Sequence, residues 1–391
     1  MIFHLHDKLA LDIHDTLVKI GFDYGGECLK IAVLIMAKDQ IGLITEAGTS
    51  VKMIKKMKLN SVKRVIILAA ADVKEHRENV KILWQKTNLN SIKMHLAIDL
   101  KMANIVLGIQ SHSSTHSCYI CNSANPFKPG VDWEKVDGEK VKLRTLGSIR
   151  ENVTAWRNAG ADLKSAKNYN NCTEMPLFEE KDDDGKYLDS DVLTMHIIPP
   201  GELHLFLGLN HIYNELKKIW PEAEKWAAQC HVFVEGRYQQ FNGNGCNSLL
   251  KDKSLTILES MLPKDEHLLG FARALRALSK VVSSCFGYAA SPSVKDDIEQ
   301  FRKLYLKLNI TVTPKMHIIF EHVFPYLQHK AALSEDKWTG LAVETEQPFE
   351  ASHHQFNKRW DLFKVNRDNK GYKNSFHRAV TCHNSLNVEV P

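Results

Sequence analysis

Residues 16–36, TLVKIGFDYGGECLKIAVLIM, hold two apolar runs broken by Asp23-Tyr24-Gly25-Gly26, the pattern of strand, turn and strand. VKRVIILAA (62–70) is a third apolar run of strand length. In DVKEHRENVKILWQKTN (72–88) the apolar residues recur at helical spacing, and Asp72 is placed to cap that helix. IKMHLAID (92–99) returns to a strand ending at Asp99, and LKMANIVLGIQ continues as a helix. This order of strands and helices predicts a mixed α/β unit.

The pattern then changes. HSSTHSCYICNSANPFKPG is loop-like, and residues 165–192, with EEKDDDGKYLDSD, form a polar connection without periodicity. From PPGELHLFLG onward, apolar positions three and four apart predict helices over 202–220, 253–262, 266–286 and 294–308. FNGNGCNSLL (241–250) interrupts them, with Asn242-Gly243-Asn244 read as a turn, and His204 reads as a core histidine.

Composition adds limits. At 391 residues the chain is long enough for two or three packed units, and 44% hydrophobic with 25% charged residues fits a globular protein. No run of 18 apolar residues exists, so no membrane-spanning helix is expected. The start, MIFHLHDKLALDIHD, does not read as a secretory signal. Eight scattered cysteines do not suggest a disulfide framework, which points to a reducing compartment. Lysine and arginine number 51 against 46 acidic residues, a net +5 too dilute to argue for nucleic-acid binding. The densest basic segment, KMIKKMKLNSVKR (52–64), reads as a solvated helix face or as a phosphate-contacting or import segment.

Two sets of residues carry candidate chemistry. His317 and His322 lie in TPKMHIIFEHVFPYL, and Cys118 and Cys121 in SCYIC. Two thiolates and two imidazoles suit Zn²⁺. Cys121 and His317 are 196 positions apart (317 minus 121), so a shared ion would clamp two distant segments. Two buried thiols, or a local site completed by His112 and His116, are the alternatives. Residues five apart stand about 140° around a helix. The histidines can therefore share an ion only if the helix ends or bends between them. The second set is acidic. Asp23 and Asp99 close strands, where two carboxylates can hold a hard cation such as Mg²⁺, and Glu344, Glu346 or Glu350 could supply a third. Turn-forming or capping roles would also explain the aspartates.

The ordered segments FDYGGECLK, AIDLKMANIVLGIQSHSSTHSCYIC, GELHLFLGLNHIYNEL, FNGNGCNSLL, TPKMHIIFEHV and ETEQPFEASHHQFNKRW resemble one family over about residues 16–390. That family is the catalytic core of the V(D)J recombination-activating protein and its Transib-like transposase relatives. The resemblance implies an α/β RNase H-like catalytic core, with a mixed sheet, interrupted by a large, mainly helical, zinc-clamped insertion. Residues 1–111 would form the first part of the core, 112–330 the insertion, and 331–391 the C-terminal helical part with the glutamate. Asp23, Asp99 and Glu350 would be the catalytic triad, holding two Mg²⁺ or Mn²⁺ ions. Cys118, Cys121, His317 and His322 would hold a structural Zn²⁺. Lys358, Arg359 and Arg367 would contact DNA. The implied activity is cleavage and joining of double-stranded DNA at transposon ends or related signals. It implies a homodimer, with or without an accessory subunit, in the nucleus and away from membranes. A catalytically inactive, transposase-derived DNA- or protein-binding protein is the alternative. Two features depart from the family: only 22 residues precede Asp23, which leaves no room for its amino-terminal DNA-binding and dimerisation regions. The glutamate segment is also about one residue longer, which keeps Glu346 as a rival to Glu350.

Overall fold

The computed structural model describes residues 16–25, 28–37, 61–91, 94–111, 113–124, 142–234, 240–333 and 339–387. Residues 52–60 of the basic segment and His112 lie outside them. The chain divides into two compact units. One comprises Met1–Ala124, Lys142–Gly201 and Glu344–Pro391; the other comprises Asn125–Val141 and Glu202–Val343.

The first unit is built on a four-stranded sheet in the order β3-β2-β1-β4. Strands β1 (Thr16–Gly25), β2 (Cys28–Ala37) and β3 (Ile66–Ala71) pair antiparallel. Helix α1 (Arg77–Thr87) follows, then β4 (His95–Leu96), which runs parallel to β1, and α2 (Leu100–Leu107). Further along come α3 (Leu146–Asn158) and α4 (Thr194–Ile197).

Strands β1 and β2 are buried because both faces of the sheet are covered, which explains their near-continuous apolar runs. Side chains of a strand alternate between faces. Phe22 stacks on Trp84 of α1, at 5.6 Å between ring centroids, and Phe178 meets the same indole edge-on. Gly21 faces the other way, under the Phe349 ring.

The second unit is helical. Its helices are α5 (Glu202–Phe206), α6 (Leu209–Ile219), α7 (Ala223–Gln229), α8 (Gly243–Leu249), α9 (Asp252–Met261), α10 (Glu266–Cys285) and α11 (Val294–Leu306). It ends in α12 (Pro314–Glu321) and α13 (Val323–Leu333). Helix α10 is started by Asp265, whose side chain accepts from Leu268 N, and it packs along α11. Its buried positions Phe271, Leu275, Leu278, Val281 and Cys285 keep helical spacing. Phe301, Tyr305 and Phe320 form an aromatic cluster beside it.

The chain returns to the first unit in α14 (Gln347–Phe363) and α15 (Tyr372–Asn387). Helix α14 packs on β1, and α15 on β3. Cys28, Ile67, Phe356, Trp360 and Ala379 form the core beneath them. Asn384 completes the edge of β3, accepting from Ile67 N and donating to Ile67 O, both at 2.9 Å.

Several expectations need correction. Asp72 does not cap α1, whose N-cap is His76; Arg367 and the Tyr372 hydroxyl bind the Asp72 carboxylate instead. The strand over 92–99 contracts to two residues. Residues 202–220 form two helices, broken around Gly208. FNGNGCNSLL is not a break: Asn242 accepts from Gly245 N and starts α8. An asparagine ahead of two glycines reads as a turn, yet the same side chain is a good N-cap. Among the described residues no helix is long and apolar enough to cross a membrane.

Candidate metal centres

Three residues of β1 and three near the start of α14 meet in order. Lys19 donates through Nζ to Thr345 O at 3.1 Å. Gly21 lies against the Phe349 ring, and Asp23 forms an ion pair with His353 Nδ1. Two strand residues advance about 6.7 Å and four helical residues about 6 Å, so positions two apart on β1 stay level with positions four apart on α14. The acidic and basic residues of KIGFD thus share one face, and the apolar ones the other. His95 lies opposite Lys19 across β4 and holds the buried Glu344 at 3.1 Å. Lys19 and His95 therefore fix residues 344–345 from two strands.

Asp99 is brought to the same end of the sheet. Residues 19 and 95, and 20 and 96, are paired, an offset of 76; Asp23 and Asp99 differ by the same 76 (99 minus 23). Ala97 N donating to Ile20 O continues the contact beyond β4. Asp99 also caps α2, its Oδ1 accepting from Met102 N at 2.6 Å.

Glu350 lies in the first turn of α14, one turn before His353 and hence on the same side. Burial, then the charges of Asp23, Glu346 and Asp99, push its carboxyl up to about 8, against the pull of Lys30. For Asp23, burial is opposed and outweighed by the His353 hydrogen bond and by the charges of His353 and Lys30, which hold it below the ordinary value. Lys30 is fully buried directly opposite Asp23 on β2, above the Phe356 ring. Burial lowers its pKa, while Cys28, Asp23 and Glu350 pull the other way.

Glu75, His353 and Lys30 escaped the sequence reading. Burial raises the Glu75 carboxyl; its pairing with Lys101 opposes this, and Asp99 and Asp23 add to it. In Lys30 the signal was a lysine inside an apolar strand. Glu75 had none, since an acid just ahead of a helix is unremarkable. Glu346 is buried at the N-cap of α14, where a Cβ on Gly201 would come within 2.8 Å of its Oε1. Glu350 is the glutamate whose ionisation both aspartates oppose.

The second centre has its own local logic. Cys118 and Cys121 bracket a tight turn in which Ile120 N points at Cys118 Sγ at 3.4 Å. A short bridge between Cys121 and Leu143 backs it. The Cys121 thiol is pushed far up by its hydrogen bond with Cys118 and then by burial. In the helical unit, Thr313 caps α12, Pro314 fills its first turn, and the helix ends at Glu321 with His322 at φ −121°. Pro325 accounts for the stop: it has no N–H to offer Glu321 O, and its ring would meet that carbonyl. The break turns His322 toward His317, Nε2 to Nε2 at 3.2 Å. A tetrahedral ion with Zn–N bonds of 2.0–2.1 Å sets two nitrogens about 3.3 Å apart, so the pair fits such an ion.

All four side chains are buried, and their ligand atoms lie within 4.8 Å of one another. This buried Cys2His2 cluster can hold a structural metal. His116 is not among the four residues of the cluster, and its Nδ1 is engaged by Asn122 O at 2.8 Å. Among the described residues, Asp23, Asp99 and Glu350 do not form a second cluster as tight as this one.

The basic residues expected at DNA differ in their surroundings. Lys358 is exposed. Arg359 donates to Asn387 and lies 2.6 Å from His383 Nδ1, within the α14–α15 contact. Arg367 is exposed and pairs with Asp72 at 2.6 Å.

A family model described as a domain of unknown function (DUF8703) matches residues 30–139, which include β3, β4, Asp99 and both cysteines. No curated protein matches the chain.

Proposed function

We propose that this chain is a DDE-type DNA endonuclease and strand-transfer enzyme of the recombination-activating and Transib-like kind, with an RNase H-like core and a structural zinc. The observation that carries the reading is that Asp23 on β1 and Asp99 beyond the end of β4 both stand near enough to Glu350, in the first turn of α14, for their charges to oppose its ionisation. The small mixed sheet agrees with it. The carboxyl of Glu350, raised to about 8 by burial and by neighbouring acids, belongs to a site that calls for cations.

Asp23, Asp99 and Glu350 would hold Mg²⁺ or Mn²⁺. Such ions, when bound, supply an activated water or 3′-hydroxyl and charge for the departing oxygen of a phosphodiester. The protein's own part is to bring three carboxylates together and keep them partly dry. Met102 N holds one oxygen of Asp99, while His353 and Lys30 offset the charge of Asp23 and Glu350. Cys118, Cys121, His317 and His322 would fill all four positions of a zinc ion and leave none for water, as a structural site requires. The partner would be double-stranded DNA at transposon ends or related signals, met through phosphate contacts in which Lys358 is the most available of the three basic residues. A homodimer in the nucleus, with or without an accessory subunit, belongs to the same proposal.

A second reading, a DNA- or protein-binding derivative that does not cut, draws on the ion pair that His353 makes with Asp23. The test is Mg²⁺- or Mn²⁺-dependent nicking of supercoiled DNA by wild type and Asp99→Asn. Asparagine keeps the cap of α2, so the variant removes charge and not the helix start. Cutting by wild type and background activity in the variant support the enzyme. Binding by both with cutting by neither leaves the non-cutting reading.

A further inference from the structure

Arg144 lies at the centre of the cysteine turn and is 3% exposed. Its Nε donates to Cys118 O at 2.9 Å and to Cys121 O at 2.8 Å. Nη2 donates to His116 O and Asn170 O, both at 3.0 Å, and Nη1 points at Cys172 Sγ at 3.2 Å. Its backbone joins in: Arg144 N donates to Ile120 O at 2.8 Å, and Thr194 N donates to Arg144 O. No carboxylate is among these partners. A guanidinium costs free energy to bury, and here its planar fork is spent on the carbonyls that flank two candidate ligands. One side chain thereby holds both ends of the turn, the loop before it (His116) and the residue that ends the 3-10 helix Leu163–Tyr169 (Asn170).

We infer that Arg144 is the positioning residue of the metal centre, fixing the Cys118–Cys121 turn so that both sulfurs face one ion. The inference rests on the zinc reading and deepens it. Cys172 is then a packing partner of the guanidinium and not a ligand, consistent with its absence from the four-residue cluster. Lysine in place of Arg144 would keep the charge, but its single ammonium cannot serve both cysteine carbonyls and the flanking ones together.

The test is metal affinity of the full-length chain, wild type against Arg144→Gln and Arg144→Lys. Zn²⁺ binding is measured by competition with a chromophoric chelator. Co²⁺ substitution reports the thiolate charge-transfer bands, and thermal melting is followed for the metal-free chains. The expected result is about 10- to 100-fold weaker binding for Gln, with Lys in between, and altered Co²⁺ bands in both. Wild-type affinity and bands in variants that merely melt lower would overturn the inference, since Arg144 would then only stabilise the fold. If Arg144→Gln does not fold, Arg144→Lys carries the same comparison. A wild-type chain that binds neither ion at one equivalent refutes the zinc reading, and the role of Arg144 falls with it.

Discussion

The contact between Gly21 of β1 and the Phe349 ring of α14 can be perturbed by a single methyl group. A Cβ at Gly21 would lie 2.4, 2.5 and 2.9 Å from three atoms of the Phe349 ring. Ordinary contact begins at about 3.4 Å, so Gly21→Ala requires the ring to withdraw by about 1 Å. Phe349 is 2% exposed and has no room to swing aside. The strain therefore passes to β1 and to the first turn of α14, which also carries Glu350. Overpacking of this kind costs about 1–3 kcal/mol. A unit of this size loses about 2–4 °C of melting temperature per kcal/mol. A misplacement near 1 Å at a reacting centre can cost about 10²-fold in rate. The assay pairs thermal melting with divalent-dependent nicking, and adds the double variant Gly21→Ala/Phe349→Leu. The double variant should recover part of both losses, because leucine vacates the space above residue 21. If Gly21→Ala melts and cuts like wild type, α14 does not seat on β1 as described. If only cutting survives, the position of Glu350 does not depend on this contact.

Glu350→Gln should be more stable than wild type in metal-free buffer at pH 8. The native carboxyl is raised from 4.5 to about 8, so wild type loses stability as pH climbs through that window, while glutamine does not titrate. Denaturant melts should show the gap narrowing toward pH 5. Chelation of zinc should lower the melting temperature of wild type and leave Cys118→Ser/Cys121→Ser unchanged, with one zinc per wild-type chain by elemental analysis. Asn384→Leu strips Ile67 of both its side-chain hydrogen bonds; a loss of about 1–3 kcal/mol and faster exchange of the Ile67 amide are expected.

Much of this architecture could be read from the chain. The two long strands, the third, and the helices after residue 250 follow from apolar spacing, because each buries a continuous face. The condition that a helix must end between His317 and His322 was also legible, and Pro325 stood in the sequence as its cause. Other features depend on contacts that spacing does not encode. Asp72 had two possible uses, and only the return of Arg367 and Tyr372 from nearly 300 residues away decides between them. Strand β4 ends at Leu96, and Asp99 starts α2 three residues later. Glu75, His353 and Arg144 are polar residues of ordinary local pattern, and their settings come from tertiary neighbours.

The paired grip of Lys19 and His95 on residues 344–345 has a consequence for how such a chain can diversify. The segment that separates Asp99 from Glu350 is long, but closing a longer loop adds only about 0.6 kcal/mol per doubling. A chain caught at 344–345 by two strands of the sheet delivers Glu350 from that anchor, whatever precedes it. Insertions and deletions far upstream of the anchor can accumulate without moving the acid. Changes between residues 344 and 350 cannot, because each shifts the helix that carries it.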